Sequence, residues 1–82
     1  MEGFTMTLDC IHRGQRFVVT SMPDSVTRAQ AIRLGISEGE ILTCEEIIPA
    51  GPVIVRKRRQ EIALGRNLCK RIGVSIDAER TI

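Results

Sequence analysis

Residues 31–42 read AIRLGISEGEIL, a stretch in which two glycines follow a short segment that favours a helix. It predicts a short helix that ends at Leu34, because the following Gly35 can adopt the positive φ at which many helices stop. Gly39 then lets the chain turn into a strand that begins at Glu40. The stretch is therefore predicted to form a compact corner between a helix and a strand.

The helix before this corner carries a start signal as well as a stop signal. Asp24 or Ser25 can accept hydrogen bonds from its first backbone N–H groups, which predicts a helix over about residues 26–34. We expect the apolar side chains of the helix end and the corner to close one end of the core. These side chains are Ile32, Leu34, Ile36 and Leu42.

Short runs rich in β-branched and apolar residues surround the corner and indicate strands. They cover residues 16–22, 40–48, 52–59, 60–64 and 72–76. The third and fourth runs are contiguous, so they must form an antiparallel hairpin that turns near residues 58–60. A second short helix is predicted over about residues 66–71. Together these elements predict a mainly β fold, a small closed or nearly closed barrel of about five strands with two short helices.

The composition is that of an ordinary folded domain. The 82 residues are 43% hydrophobic and 27% charged, with a formal net charge of +2. We expect a single domain over residues 1–82, with a core at about 8–76 and flexible tails at 1–7 and 77–82. The mild positive charge permits a basic patch without requiring a nucleic-acid partner.

No segment has the pattern of a targeting signal. The opening MEGFTMTLDC has an early acidic residue and lacks the apolar core of a signal peptide. No stretch reaches the roughly 18 consecutive apolar residues of a membrane span. Three cysteines at wide spacing do not suggest a disulfide framework. We therefore expect a cytoplasmic protein without direct membrane insertion.

The sequence contains no pattern typical of a catalytic site. There is one histidine, His12, and no set of serine, histidine and acid at a suggestive spacing. Glycine-rich phosphate-binding motifs do not occur. We predict that the protein is not an enzyme.

Cys10 and His12 form the nearest approach to a metal motif. Residues i and i+2 on a strand share a face, so both side chains could reach one divalent transition ion such as Fe or Zn. A structural zinc site requires four ligands, and Cys44 and Cys69 are the remaining cysteines. The alternative, which we favour, is that these two cysteines pack in the core and that His12 is solvated.

The strongest charge feature is the run Arg56, Lys57, Arg58 and Arg59 at the predicted hairpin tip. Such a run could contact RNA phosphates, but barrels that bind single-stranded RNA usually add aromatic side chains for base stacking. The sequence has two phenylalanines, no tyrosine and no tryptophan. We therefore expect no nucleic-acid partner, and interpret the run as a surface for an acidic partner protein or as a solvated turn.

The order of elements, together with four motifs, resembles the FeoA family of small cytosolic proteins of bacterial ferrous iron transport. The resemblance covers about residues 8–76. The motifs are Leu8, Ile11 and Gly14 before the first strand, Leu34, Gly35, Ile36 and Gly39 in the corner, PAGPV at 49–53, and IAL at 62–64. The positions expected to be structural are Gly14, Leu34, Gly35, Gly39, Gly51 and Pro52.

The chain departs from the family pattern at three turns. Many members have a proline where residues 37–38 read Ser-Glu. The acidic residue usual between Gly51 and Pro52 is missing, and residues 59–60 read Arg-Gln in place of a glycine and an aromatic residue. These departures leave the predicted fold unchanged.

The resemblance implies an SH3-like barrel with an accessory role. Such proteins accompany FeoB, a membrane ferrous iron transporter, and are thought to modulate it by contact with its cytosolic region. The same barrel occurs at the C-terminus of metal-dependent repressors of the diphtheria-toxin-repressor type. We expect a cytoplasmic adaptor that binds this transporter, with a metal-binding or metal-sensing barrel and an RNA-contacting barrel as alternatives.

Overall fold

Six strands and two short helices make up the fold over residues 6–77, which the computed structural model describes. The strands are β1 (Met6–Thr7), β2 (Arg16–Ser21), β3 (Ile41–Ile47), β4 (Val53–Lys57), β5 (Gln60–Leu64) and β6 (Gly73–Ile76). The helices are α1 (Ser25–Arg33) and α2 (Arg66–Cys69), and a 3-10 turn spans Leu8–Cys10. The predicted fold class, mainly β with two short helices, is confirmed.

All six strands pair antiparallel in one sheet, in the order β1–β6–β2–β3–β4–β5. The strand beyond the predicted five is β1, in which Met6 and Thr7 pair with Val74 and Gly73. These two residues fall in the predicted N-terminal tail, so regular structure begins slightly earlier than the expected core. Residues 1–5 and 78–82, also assigned to tails, lie outside the described residues.

A single hydrophobic core lies on the inner face of the sheet. Alternate residues of the strands point into it, as the period of two requires: Phe17, Val19, Leu42, Cys44, Val53, Val55, Ile62, Leu64 and Val74. Residues from both helices, the 3-10 turn and the connections complete it: Leu8, Ile11, Met22, Ala31, Ile36, Cys69 and Ile72. Because all these elements share one cluster, the sheet curls around it.

Helix α1 packs on the core differently from the prediction. Asp24 is its N-cap and accepts from Thr27 backbone N at 2.7 Å and from Thr27 Oγ1 at 2.9 Å, which lowers the pKa of the carboxyl group. The buried side chains are Thr27 and Ala31, one turn apart, so the helix lies close to the core through small residues. The prediction that Ile32 and Leu34 close the core is wrong, since they are 57% and 39% exposed.

The other half of that prediction is confirmed, because Ile36 and Leu42 are fully buried. Between them the chain makes the predicted corner, in which Gly35 and Gly39 have φ values of +90° and +92°. The backbone N–H of Gly39 donates to the Val19 carbonyl at 2.8 Å, which fixes the corner against β2. Gly14 also has positive φ, +88°, before β2.

Strand β3 contains a β-bulge. Cys44 pairs with Val55 but Glu46 pairs with Ile54, which leaves Glu45 as the extra residue. Simple alternation predicts that Glu46 shares the inner face with Cys44; the bulge instead leaves Glu46 exposed. A carboxylate is thereby kept out of the core.

The turn between β3 and β4 is closed by a side chain from α2. Arg66 donates to the carbonyls of Ile48 at 2.8 Å and Gly51 at 3.0 Å. A Cβ at Gly51 would lie 2.9 Å from Cγ2 of Ile48, so a larger residue here would require the Ile48 side chain to shift. Ala50 has a φ of +57°, an unfavourable conformation for alanine.

We expect Ala50→Gly to stabilise the protein by about 0.5–1 kcal/mol, because glycine adopts positive φ without the steric cost that alanine bears. Urea unfolding followed by far-UV circular dichroism measures the change. The matched control is Ala29→Gly on the exposed face of α1, where ordinary helical backbone predicts a loss of about 1 kcal/mol. Equal destabilisation by both substitutions would contradict the assignment of strain to Ala50.

Candidate partner-binding surface

The candidate metal ligands do not share a strand face. Cys10 ends the 3-10 turn and His12 lies in the loop after it, so the i, i+2 argument for a common ion does not hold. Both residues are exposed; Cys10 Sγ lies 3.8 Å from Thr7 Oγ1, and the His12 backbone N–H donates to Gln15 Oε1 at 2.8 Å. Within residues 6–77, no three His, Cys, Asp or Glu side chains come together as metal ligands.

The other two cysteines are core residues, as predicted. Cys44 and Cys69 are 1% and 0% exposed. Burial raises the pKa of both thiols, and that of Cys69 reaches about 11. Since the thiolate is the form that binds metals and attacks electrophiles, burial and the raised pKa disfavour both reactions at these two side chains.

Arg56, the first residue of the basic run, is paired on the outer face of the sheet. Its Nε donates to Glu45 Oε2 at 2.5 Å, and a terminal nitrogen donates to Glu61 Oε2 at 2.9 Å. The hydrogen bond to Glu45 is the main reason that the pKa of Arg56 is raised. Arg56 therefore links β4 to its neighbours β3 and β5 across the sheet.

Lys57, the second residue of the run, ties the hairpin to the helix-to-strand corner. Its Nζ lies 3.0 Å from Glu40 Oε2 and also donates to the carbonyl of Gly35. The side chains of Lys57 and Glu40 are 23% and 28% exposed, so the pair is partly shielded from solvent. The hydrogen bond from Lys57 to the Gly35 carbonyl joins residues 22 positions apart, and no local pattern in the sequence signals it.

Arg58 and Arg59 form the two-residue tip of the hairpin between β4 and β5. Both are exposed, and among residues 6–77 neither has a hydrogen bond or an ion pair to its side chain. Arg58 has a φ of +57°. Two-residue hairpin turns normally place glycine, asparagine or aspartate at positive φ, because other residues lose roughly 1–2 kcal/mol there.

A groove of about 620 Å³ lies beside this tip. It is open to solvent and is lined by Glu40, Lys57, Arg58, Arg59 and Gln60. The structure thus divides the predicted basic surface in two. Arg56 and Lys57 stabilise the fold, whereas Arg58 and Arg59 present their charges beside the groove. Glu40 and Gln60, which the sequence did not indicate, complete its lining.

The helices of the described residues are too short and too polar for any of them to span a membrane.

Comparison with protein families identifies one match. A family model described as the FeoA domain matches residues 6–76. This range includes all six strands and both helices. No curated protein sequence matches the chain at a significant level.

Several solved structures have the same fold, including three FeoA or FeoA-like proteins. The crystal structure of an iron uptake regulatory protein (FeoA) is 22% identical, has a TM-score of 0.81, and the match covers 89% of this chain and 99% of that one. A FeoA-like protein from Clostridium acetobutylicum is 23% identical over 100% of this chain and 96% of its own, with a TM-score of 0.82. The FeoA protein from Chlorobium tepidum is 28% identical over 93% and 74%, with a TM-score of 0.76.

Proposed function

The chain belongs to the FeoA domain family, and from this premise we propose that it is a cytoplasmic accessory protein of bacterial ferrous iron uptake. The family is a non-enzymatic domain associated with iron uptake. We propose further that the protein acts by binding the cytosolic region of a FeoB-type membrane transporter. The family match over residues 6–76 is the observation that carries this proposal.

The surface chemistry supports a protein that acts by contact. Burial keeps the thiols of Cys44 and Cys69 away from the surface, whereas the exposed charges of Arg58 and Arg59 suit recognition of another macromolecule. An interface at such a tip requires only complementary charge and shape on the partner.

The metal-binding alternative has less support. Cys10 and His12 lie on different local elements, and within the described range no third ligand joins them. An RNA-contacting barrel is also less well supported, because Phe17, the aromatic residue within residues 6–77, is buried and cannot stack on a base.

The proposal is tested by calorimetric titration. The 82-residue chain is titrated with the cytosolic region of the ferrous iron transporter from the same organism. We expect saturable binding with one site per chain. The absence of binding at 100 μM of each protein, on the order of a weak cellular affinity, would count decisively against it.

A parallel titration tests the metal-binding alternative. Fe(II) under anaerobic conditions, or Zn(II), is added to ¹⁵N-labelled protein while the amide signals of Cys10 and His12 are followed. We expect both signals to stay in place. Saturable shifts confined to this pair would favour a metal-binding function instead.

A further inference from the structure

The hairpin tip carries charge that the fold does not use. Of the four basic residues in the run, Arg56 is paired with two carboxylates, and Lys57 with Glu40 and the Gly35 carbonyl. Arg58 and Arg59 have no such partners among residues 6–77. Two adjacent guanidinium groups repel one another, so they add nothing to the stability of the turn.

The backbone at the tip also argues for a role of the side chain. Arg58 occupies a position of positive φ, where glycine would remove the conformational cost. Residues in sparsely populated backbone conformations cluster at ligand-binding sites, and Arg58 is exposed beside the groove. The turn itself would form more readily with a smaller residue.

The charge balance of the groove defines its ligand. Lys57, Arg58 and Arg59 contribute three positive charges, and Glu40 contributes one negative charge that already contacts Lys57. The groove therefore attracts anions. Guanidinium groups match carboxylates with two parallel hydrogen bonds each, and the Gln60 amide supplies a further donor and acceptor.

The shape and composition of the groove select the class of ligand. An open groove of about 620 Å³ does not enclose a small molecule, as ligand pockets usually do, but it can accept an extended chain segment. None of its five lining residues is aromatic, so it offers no platform for stacked bases. These features favour a peptide with carboxylate side chains over a nucleic acid.

We infer that the groove at the hairpin tip binds an acidic segment of a partner protein, with Arg58 and Arg59 each taking one carboxylate. The Lys57–Glu40 pair forms the fixed wall of the site and positions the tip against the helix-to-strand corner. The inference rests on the proposed function in taking the ligand to be a protein. It adds which surface of this chain is used and what chemistry the partner presents.

Two double variants with the same change in charge test this assignment. Arg58→Glu/Arg59→Glu reverses the tip, and Lys70→Glu/Arg71→Glu reverses two exposed residues after α2. Each takes the formal net charge from +2 to −2, since two charge reversals subtract four. Circular dichroism first verifies that both variants fold.

Wild type and both variants are titrated with two ligands, the cytosolic region of the transporter and a decapeptide of glutamate, while ¹⁵N–¹H spectra are recorded. We expect the peptide to shift the amide signals of residues 58–60 in the wild type. We expect the tip variant to lose at least about tenfold in affinity for both ligands, because it places two negative charges against an acidic segment. The control variant is expected to remain within about twofold of the wild type.

The possible outcomes separate this inference from the proposed function. If the transporter region binds all three proteins equally, the tip is not the partner surface, although the proposed function stands. If the transporter region does not bind but the peptide still selects the tip, the proposed function fails and this inference survives. Equal losses in both variants, or no tip shifts with the peptide, overturn the inference. If an oligouridylate of equal charge binds the tip more tightly than the glutamate peptide does, the ligand of the groove is a nucleic acid and the inference is overturned.

Discussion

Replacing Phe17 with alanine is expected to lower the free energy of unfolding by about 3–5 kcal/mol, the usual cost of removing a buried phenylalanine ring. Phe17 is fully buried and is the largest side chain in the core. It lies on β2, between β3 and β6, where it pairs with Leu42 and Ile76. The neighbouring strands β3 and β6 are held in place by the sheet, so their side chains have little freedom to fill the cavity that the alanine would leave. Since small domains have free energies of unfolding of only about 5–15 kcal/mol, this substitution would remove a large part of the total stability.

The measurement is urea unfolding followed by far-UV circular dichroism, because the chain has no tryptophan or tyrosine to report by fluorescence. Phe17→Leu retains most of the volume and is expected to cost less than about 1.5 kcal/mol. Val26→Ala, at a side chain 60% exposed on α1, is the second control and should change stability by less than about 0.5 kcal/mol. If Phe17→Ala costs no more than Val26→Ala, the described core is wrong.

Gly35→Val is expected to destabilise the protein by about 2–3 kcal/mol, because a β-branched residue at a φ of +90° is severely strained. In a domain of this size the change corresponds to a fall in Tm of about 10–20 °C. Space at the position is not the cause. A Cβ there would have a single neighbour within 4 Å, Lys57 Nζ at 3.9 Å.

Gly65→Val adds the same atoms at a glycine with an ordinary φ of −58° and no heavy atom within 4 Å of the added Cβ. Gly65 is the N-cap of the four-residue helix α2, where valine is less favourable than glycine, so we expect a fall in Tm that is smaller than that of Gly35→Val. Thermal unfolding of both variants by circular dichroism separates backbone strain from any general cost of a larger side chain. Similar Tm values for the two variants would refute a role for positive φ at Gly35.

The features of the fold that depend on local signals could be predicted from the sequence. The stop at Gly35 and the cap at Asp24 are set by backbone chemistry within a few residues, and both are confirmed. The contiguous runs on either side of residues 58–59 could only form a hairpin, and they do.

Features that depend on distant residues could not be predicted. Hydrophobicity alone favoured Ile32 and Leu34 as core residues, but the face of α1 that meets the sheet is the one with Thr27 and Ala31. Which face docks depends on how closely the helix can approach, which only the packed structure determines. The bulge at Glu45 likewise cannot be predicted from the alternation of apolar and polar residues along β3.

The sequence predicts four basic residues as the candidate site. Within residues 6–77 two of them, Arg56 and Lys57, are paired with acidic side chains, whereas Arg58 and Arg59 are exposed. The sequence identifies the run from its composition. It cannot show that Glu45, Glu61 and Glu40 engage Arg56 and Lys57, because the strand register brings these acids to the run. Positive φ at Arg58 is a property of the hairpin turn that composition does not indicate.

The order of the strands in the sheet affects how the protein folds while it is synthesised on the ribosome. Strand β2 lies between β3 and β6, and β6 is the last of the strands within residues 6–77 to be synthesised. Until residues 73–76 emerge, one side of β2 has no neighbour, and the ring of Phe17 lacks its cover from β6. Such long-range pairing slows folding, and an unpaired strand edge invites aggregation. The sheet therefore cannot form strand by strand in the order of synthesis, because β2 gains its second neighbour only when β6 has emerged.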